Sequence, residues 1–122
     1  MSKNRKKRRK VNRLPPRRRG RVVTVALYGP NDTIATKMVG CLVKESTGNV
    51  EKMERWYSEG GKDVREIDEV VRGLARFVSD CDPRVVVSPD KIIGCPHEEG
   101  IDYPEGGVCP ECPFWAGRDR FA

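Results

Sequence analysis

No stretch of this chain approaches the ~18 consecutive apolar residues that a membrane-spanning helix needs, which excludes a helical membrane protein. Acidic and aromatic residues are both missing from positions 1–21. No apolar segment follows this charged start, so it does not read as a secretory signal, and the expected location is the cytoplasm. No Gly-Lys-Ser/Thr follows Gly29-Pro30-Asn31, so that turn is not a phosphate loop. There are no internal repeats. Histidine occurs once, at position 97.

What is present divides the chain in two. Lys3, Arg5, Lys6, Lys7, Arg8, Arg9, Lys10, Arg13, Arg17, Arg18, Arg19 and Arg21 are twelve of the 24 basic residues. The rest of the chain holds twelve basic residues against all 18 acidic ones, a net charge of −6. A basic segment therefore precedes an acidic body, and the overall pI near 9.2 describes neither. A block of like charge with few apolar side chains cannot bury enough surface to fold alone. We expect residues 1–20 to be a disordered basic arm and residues 21–122 a single domain. Such an arm can lie along nucleic-acid phosphates, releasing counterions as it does so. With no aromatic to stack on bases, its binding should be insensitive to sequence. The alternatives are a solvated tail and an arm folded back on the acidic body.

The body is organised around its C-terminal loop, residues 94–115. It holds Cys95, His97, Cys109 and Cys112: three of the five cysteines and the single histidine. Zinc takes four thiolate or imidazole ligands in a tetrahedron. Cys95 and His97 are two residues apart, so an extended segment points both the same way. Cys109 and Cys112 form a C-x2-C turn, eleven residues further on, a gap close to that of small zinc modules. Pro96, Pro110 and Pro113 stiffen the ligand loops. A redox dithiol, disulfides or an iron site are the competing readings of these cysteines.

The runs Ile93-Gly94-Cys95-Pro96-His97-Glu98-Glu99-Gly100-Ile101-Asp102-Tyr103-Pro104 and Cys109-Pro110-Glu111-Cys112-Pro113-Phe114-Trp115-Ala116-Gly117-Arg118-Asp119-Arg120 resemble the signature of a group of small uncharacterised bacterial proteins. The turn at Leu27-Tyr28-Gly29-Pro30 and the residues Ala35-Thr36-Lys37 fit the same group. The resemblance runs from about residue 22 to the end and omits the basic arm. It implies a cytoplasmic protein and carries no activity.

His97-Glu98-Glu99 followed by Cys109-Pro110-Glu111-Cys112 also brings to mind the H-x-E and P-C-x-x-C motifs of zinc nucleobase deaminases. Val108 stands where that motif has proline, and the eleven intervening residues leave no room for a strand and helix. Cys95 also supplies a fourth protein ligand, and a catalytic zinc keeps one position open. In an enzyme, Glu98 or Glu99 would be the proton carrier. Three thiolates and an imidazole around Zn²⁺ leave about −1 charge, which Lys91, Arg118 and Arg120 stand close enough in sequence to offset. Phe114, Trp115 and Phe121 are expected to pack the loop onto the body, and Tyr103 to offer an exposed contact.

Elsewhere the pattern predicts strands over Arg21–Tyr28 and Thr33–Lys44, joined as a hairpin across Gly29–Asp32. Ile34, Met38, Val39, Leu42 and Val43 are its expected core residues. Val50, Met53, Trp56 and Tyr57 have helical spacing, which predicts a short helix over 49–58 with Trp56 and Tyr57 in the core. A second helix should start at Asp63, with Glu66 completing a capping box. Ile67, Val70, Val71, Leu74, Phe77, Val78 and Cys81 give it one apolar stripe, and Asp82-Pro83 ends it. Arg84–Ser88 reads as a strand suited to the middle of a sheet and able to run parallel to a hairpin strand. Cys41 and Cys81 are expected to be buried and unreactive.

The sum is an α+β domain: a small sheet of a hairpin plus a third strand, one long helix packed on it, and a C-terminal zinc knuckle. The functional expectation is a non-enzymatic zinc-binding protein whose basic arm contacts nucleic acid, with RNA or a ribonucleoprotein among the candidates. A small zinc hydrolase or deaminase-like enzyme and a protein-interaction adaptor with a structural zinc are the alternatives.

Overall fold

The computed structural model describes residues 20–88, 91–107 and 109–116. Three strands come first: β1 (Arg21–Tyr28), β2 (Lys37–Lys44) and β3 (Val50–Tyr57). A 3-10 turn (Val64–Glu66), helix α1 (Asp68–Cys81), strand β4 (Val85–Val87) and a closing 3-10 turn (Pro113–Trp115) follow. The sheet order is β3-β2-β1-β4, with β1, β2 and β3 antiparallel and β4 parallel to β1. The α+β class therefore stands, with one strand more than expected. No helix among the described residues is long and apolar enough to cross a membrane.

Strand alternation gives the sheet two different faces. On one, Val23, Val25 and Leu27 of β1 are buried and continue through Leu42, Gly40 and Met38 of β2 to Lys52, Glu54 and Trp56 of β3. Helix α1 covers this face with Val70 and Phe77, flanked by Ile67, Leu74, Val78 and Cys81. Each such aliphatic or aromatic side chain contributes about 1.5–3 kcal/mol when fully buried. Phe77 meets Trp56 edge to face at 5.9 Å. Trp56 also explains Gly73 in the helix: a Cβ there would lie 2.5 Å from the indole nitrogen. The opposite face carries Thr24, Cys41 and Met53 in one row, Ala26, Val39 and Arg55 in the next, and Tyr28, Lys37 and Tyr57 at the end. No helix or strand packs there among the described residues.

Several expectations are corrected. Residues 50–57 form a strand, not a helix, because every residue but Glu51 finds a cross-strand partner on β2, the register shifting there between Leu42 and Val43. The near-helical spacing of Val50, Met53, Trp56 and Tyr57 is accidental: Trp56 alone of these packs against the core, while Tyr57 lies on the open face and is 58% exposed. Strand β2 begins at Lys37 rather than Thr33, and Ile34 is exposed in the preceding loop. Asp63 caps the 3-10 turn and not α1, whose N-cap is Ile67. Its carboxylate accepts from the Ala35 and Arg65 amides at 2.9 Å, tying this turn to the β1–β2 connection. The Arg65 guanidinium holds that carboxyl well below the usual range. Val71 on the predicted stripe is exposed. Strand β4 is an edge strand with three exposed valines, since nothing pairs beyond it among the described residues. Cys41 and Cys81 are half-buried rather than enclosed. Cys41 lies on the open face, and Cys81 flanks the core at the end of α1. Burial raises the pKa of both thiols.

Candidate metal centre

Two elements place the C-terminal loop. Ile92 is buried in the main core. The backbone around it runs beside the end of β1: the Ile93 amide donates to Leu27 O at 2.9 Å and the Gly29 amide to Gly94 O at 2.8 Å. Gly29 is required there, because a Cβ would meet Ile34 O at 1.8 Å. The far end of the loop returns to the same corner, where the Trp115 indole donates to Gly29 O at 2.7 Å. Phe114 lies edge to face with Trp115, 5.0 Å away. The expected packing role of Trp115 is thus observed, while Phe121, Arg118, Arg120 and Val108 lie outside the described residues.

Cys95, His97, Cys109 and Cys112 come together, with one ligand atom from each inside a span of 4.8 Å. The His97 Nδ1 lies 3.2 Å from Cys95 Sγ, 3.3 Å from Cys109 Sγ and 3.5 Å from Cys112 Sγ. A tetrahedral ion with bonds of about 2.3 Å to sulfur and about 2.0–2.1 Å to nitrogen sets those atoms roughly 3.6 Å apart. The four residues can therefore hold one metal ion with little movement. The three cysteines are buried. All five cysteines of the chain are free, with no pair at disulfide distance.

The surroundings suit a cation. The His97 amide donates to Cys95 Sγ at 3.2 Å, a hydrogen bond that stabilises a thiolate. Glu111 lies 3.5 Å from His97 Nε2. A carboxylate that closed on this outer nitrogen would favour the tautomer that presents Nδ1 to a metal. Sequence reasoning missed Glu111, although its place between the two ligands Cys109 and Cys112 was the available signal. Burial pushes the Cys95 thiol up to about 12; the adjoining Cys109 and Cys112 thiols add to this and the His97 amide opposes it. Burial raises the Cys112 thiol too. Three thiols so close cannot ionise together without a cation between them.

Glu98 and Glu99, the candidate proton carriers, are both engaged. Glu98 accepts from Lys37 Nζ at 2.8 Å and from Arg55 Nε at 2.8 Å. Lys37 first, then Arg55, lowers its pKa. Glu99 accepts from the Gly106 amide and so braces the ligand loop. Lys37 is itself only 4% exposed, and its ammonium also donates to Pro96 O at 3.0 Å, between the two ligands Cys95 and His97. Its charge sits near the rings of Tyr28 and Tyr57, 5.5 and 5.7 Å from their centroids. A buried lysine of the sheet thus grips the first ligand pair from the side. Between the open sheet face and the knuckle lies a cleft of about 240 Å³, bounded by Tyr28, Met53, Arg55, Glu99 and Tyr103. Tyr103 is half-buried and packs against the cysteine cluster.

Of the twelve basic residues proposed to meet nucleic acid, Arg21 is described. It opens β1 and pairs with Glu51 of β3. Lys3, Arg5, Lys6, Lys7, Arg8, Arg9, Lys10, Arg13, Arg17, Arg18 and Arg19 lie outside the described residues. No protein-family model, curated protein or solved structure matches this chain. Function must then be argued from the site itself.

Proposed function

We propose that this is a zinc-binding protein whose Cys95, His97, Cys109 and Cys112 site is structural, and whose basic arm contacts nucleic acid. The convergence of three thiols and one imidazole nitrogen within 4.8 Å carries the metal reading. Soft sulfur donors with one imidazole favour zinc over magnesium or calcium, which take oxygen ligands. Four protein ligands close the shell, whereas a hydrolytic zinc keeps a place for water. Glu98 fits a structural role better than a catalytic one, because two cations hold it ionised. The arm's eleven basic residues without one acid support phosphate contact. The acidic body supports the same division of labour, since it repels phosphate and leaves the arm as the contact. Unbridged thiols fit a reducing compartment such as the cytoplasm.

Metal titration tests the first half. Metal binding must displace the thiol protons. The sign follows from the raised thiols: protons hold the free site at low pH, so affinity falls as pH falls. With three cysteines deprotonated on binding, log K should rise by about three per pH unit between pH 7 and 8. Calorimetry in buffers of different ionisation enthalpy should count about three protons released per zinc. Release of one proton or none would mean that the cysteines are not the ligands.

A further inference from the structure

The open face of the sheet ends in the cleft beside the knuckle. We propose that this cleft takes one unpaired base of a single-stranded nucleic acid, adding a base-dependent contact to the phosphate contacts of the arm. This rests on the nucleic-acid reading above and deepens it.

Size and charge narrow the ligand. At about 240 Å³, the cleft falls below the ~300–1,000 Å³ of pockets for drug-sized molecules, so it suits a single flat group. Its two cations, Lys37 and Arg55, are both spent on Glu98. Glu99 stands beside them, so a phosphate gains nothing here. A neutral ring with amino donors does. The Arg55 guanidinium is tied along its edge, Nε at 2.8 Å and Nη2 at 3.4 Å from Glu98. Its side chain is still 40% exposed. A guanidinium held by its edge offers its plane, and guanidinium planes stack on bases. Met53, 43% exposed on the adjoining row, adds a soft apolar surface. Tyr28 and Tyr103 bring aromatic walls.

The arm explains why the flat group should belong to a nucleic acid. Proteins that bind single strands combine a cationic track with stacking platforms. Here the arm has the charges and no aromatic, while the cleft has stacking surfaces and no spare charge. The arm joins β1 at Arg21 and the cleft lies at Tyr28, seven residues along, or about 23 Å at ~3.3 Å per residue. The loop between the ligand pairs supplies one wall, through Glu99 and Tyr103, so the cleft should depend on the metal.

The test uses the metal-loaded full chain and fluorescence anisotropy at about 0.2 M salt, where phosphate contacts alone have lost most of their affinity. The probes are a labelled oligoadenylate of about twenty nucleotides, as RNA and as DNA, and a blunt G·C-rich duplex of about ten base pairs, which has nearly the same number of phosphates and stays paired at room temperature. The oligoadenylate should bind about tenfold tighter than the duplex. Arg55→Lys keeps a charge for Glu98 but has no plane to stack; it should lose about tenfold on the oligoadenylate and nothing on the duplex. Should that variant lose metal, Met53→Ala gives the same readout from the neighbouring strand position, with a severalfold loss. A chelator should erase the single-strand preference and spare the low-salt duplex binding. A ribose preference would assign RNA, and equal affinities single strands of either sugar. If Arg55→Lys with its metal in place matches the wild type on oligoadenylate, or if the duplex binds as well, the cleft is not a base site. Loss of low-salt duplex binding, with the Arg55 effect intact, would instead overturn the arm alone.

Discussion

Cys109→Ser should bind zinc at least a hundredfold more weakly than the wild type. Structural zinc in finger peptides contributes an apparent ~10–16 kcal/mol, so one ligand of four accounts for about 3 kcal/mol or more. The effect should be local. Cys109 belongs to the small buried cluster of Cys95, Cys109 and Cys112, whereas the main core is built from β1, β2, α1 and Ile92. Trp115 touches both clusters and Trp56 only the main one, so the tryptophan fluorescence should shift red by the Trp115 share alone. Far-ultraviolet circular dichroism should keep the sheet and helix. Cys41→Ser and Cys81→Ser should keep full zinc affinity, because neither thiol belongs to the cluster. Unchanged zinc affinity in Cys109→Ser would remove that residue from the ligand set.

Deletion of residues 1–20 should abolish binding to duplex nucleic acid and leave zinc content unchanged and the melting transition nearly so, the hydrogen bond from the Glu45 amide to Gly20 O being lost with it. Those residues carry eleven positive charges and no negative one, while residues 22–122 carry a net −6. Each phosphate neutralised on a DNA duplex should add about −0.9 to the slope of log K against log salt. Six engaged phosphates would cost roughly a thousandfold in affinity between 50 and 200 mM salt. Filter binding across that range, with intact and truncated chains, reads both the affinity and the slope. A truncated body that binds duplex as tightly as the intact chain would show that the arm is not the contact.

Most of the metal centre was legible because its ligands are chemically rare and locally spaced. Cys95 with His97, and Cys109 with Cys112, each converge through one turn of backbone, so no long-range information was needed. Strand β1 and helix α1 were legible for a related reason: alternating burial in Val23, Val25 and Leu27, and one apolar stripe through Val70 and Phe77, are local patterns. Strand β3 was not. Its residues Glu51, Lys52, Glu54 and Arg55 favour a helix by propensity, and only pairing with β2 overrides that. In the strand, the Lys52 ammonium sits 5.7 Å from the Phe77 ring centroid, a contact that no spacing rule predicts. The role of Lys37 was equally hidden. Within the expected strand Thr33–Lys44 nothing local marks Lys37 for burial, which depends on Glu98, 61 residues later in the chain. The misplacement of Cys41 followed from topology too: the helix covers the face bearing Gly40 and Leu42, leaving Cys41 on the other side.

The proposed metal shell is closed and made wholly of protein ligands. X-ray absorption on the zinc-loaded full chain measures it directly. The proposed site should show three sulfurs at about 2.3 Å and one nitrogen at about 2.0–2.1 Å, with no oxygen bound to the metal. A bound oxygen in place of one of those four atoms, or fewer than three sulfurs, would contradict it.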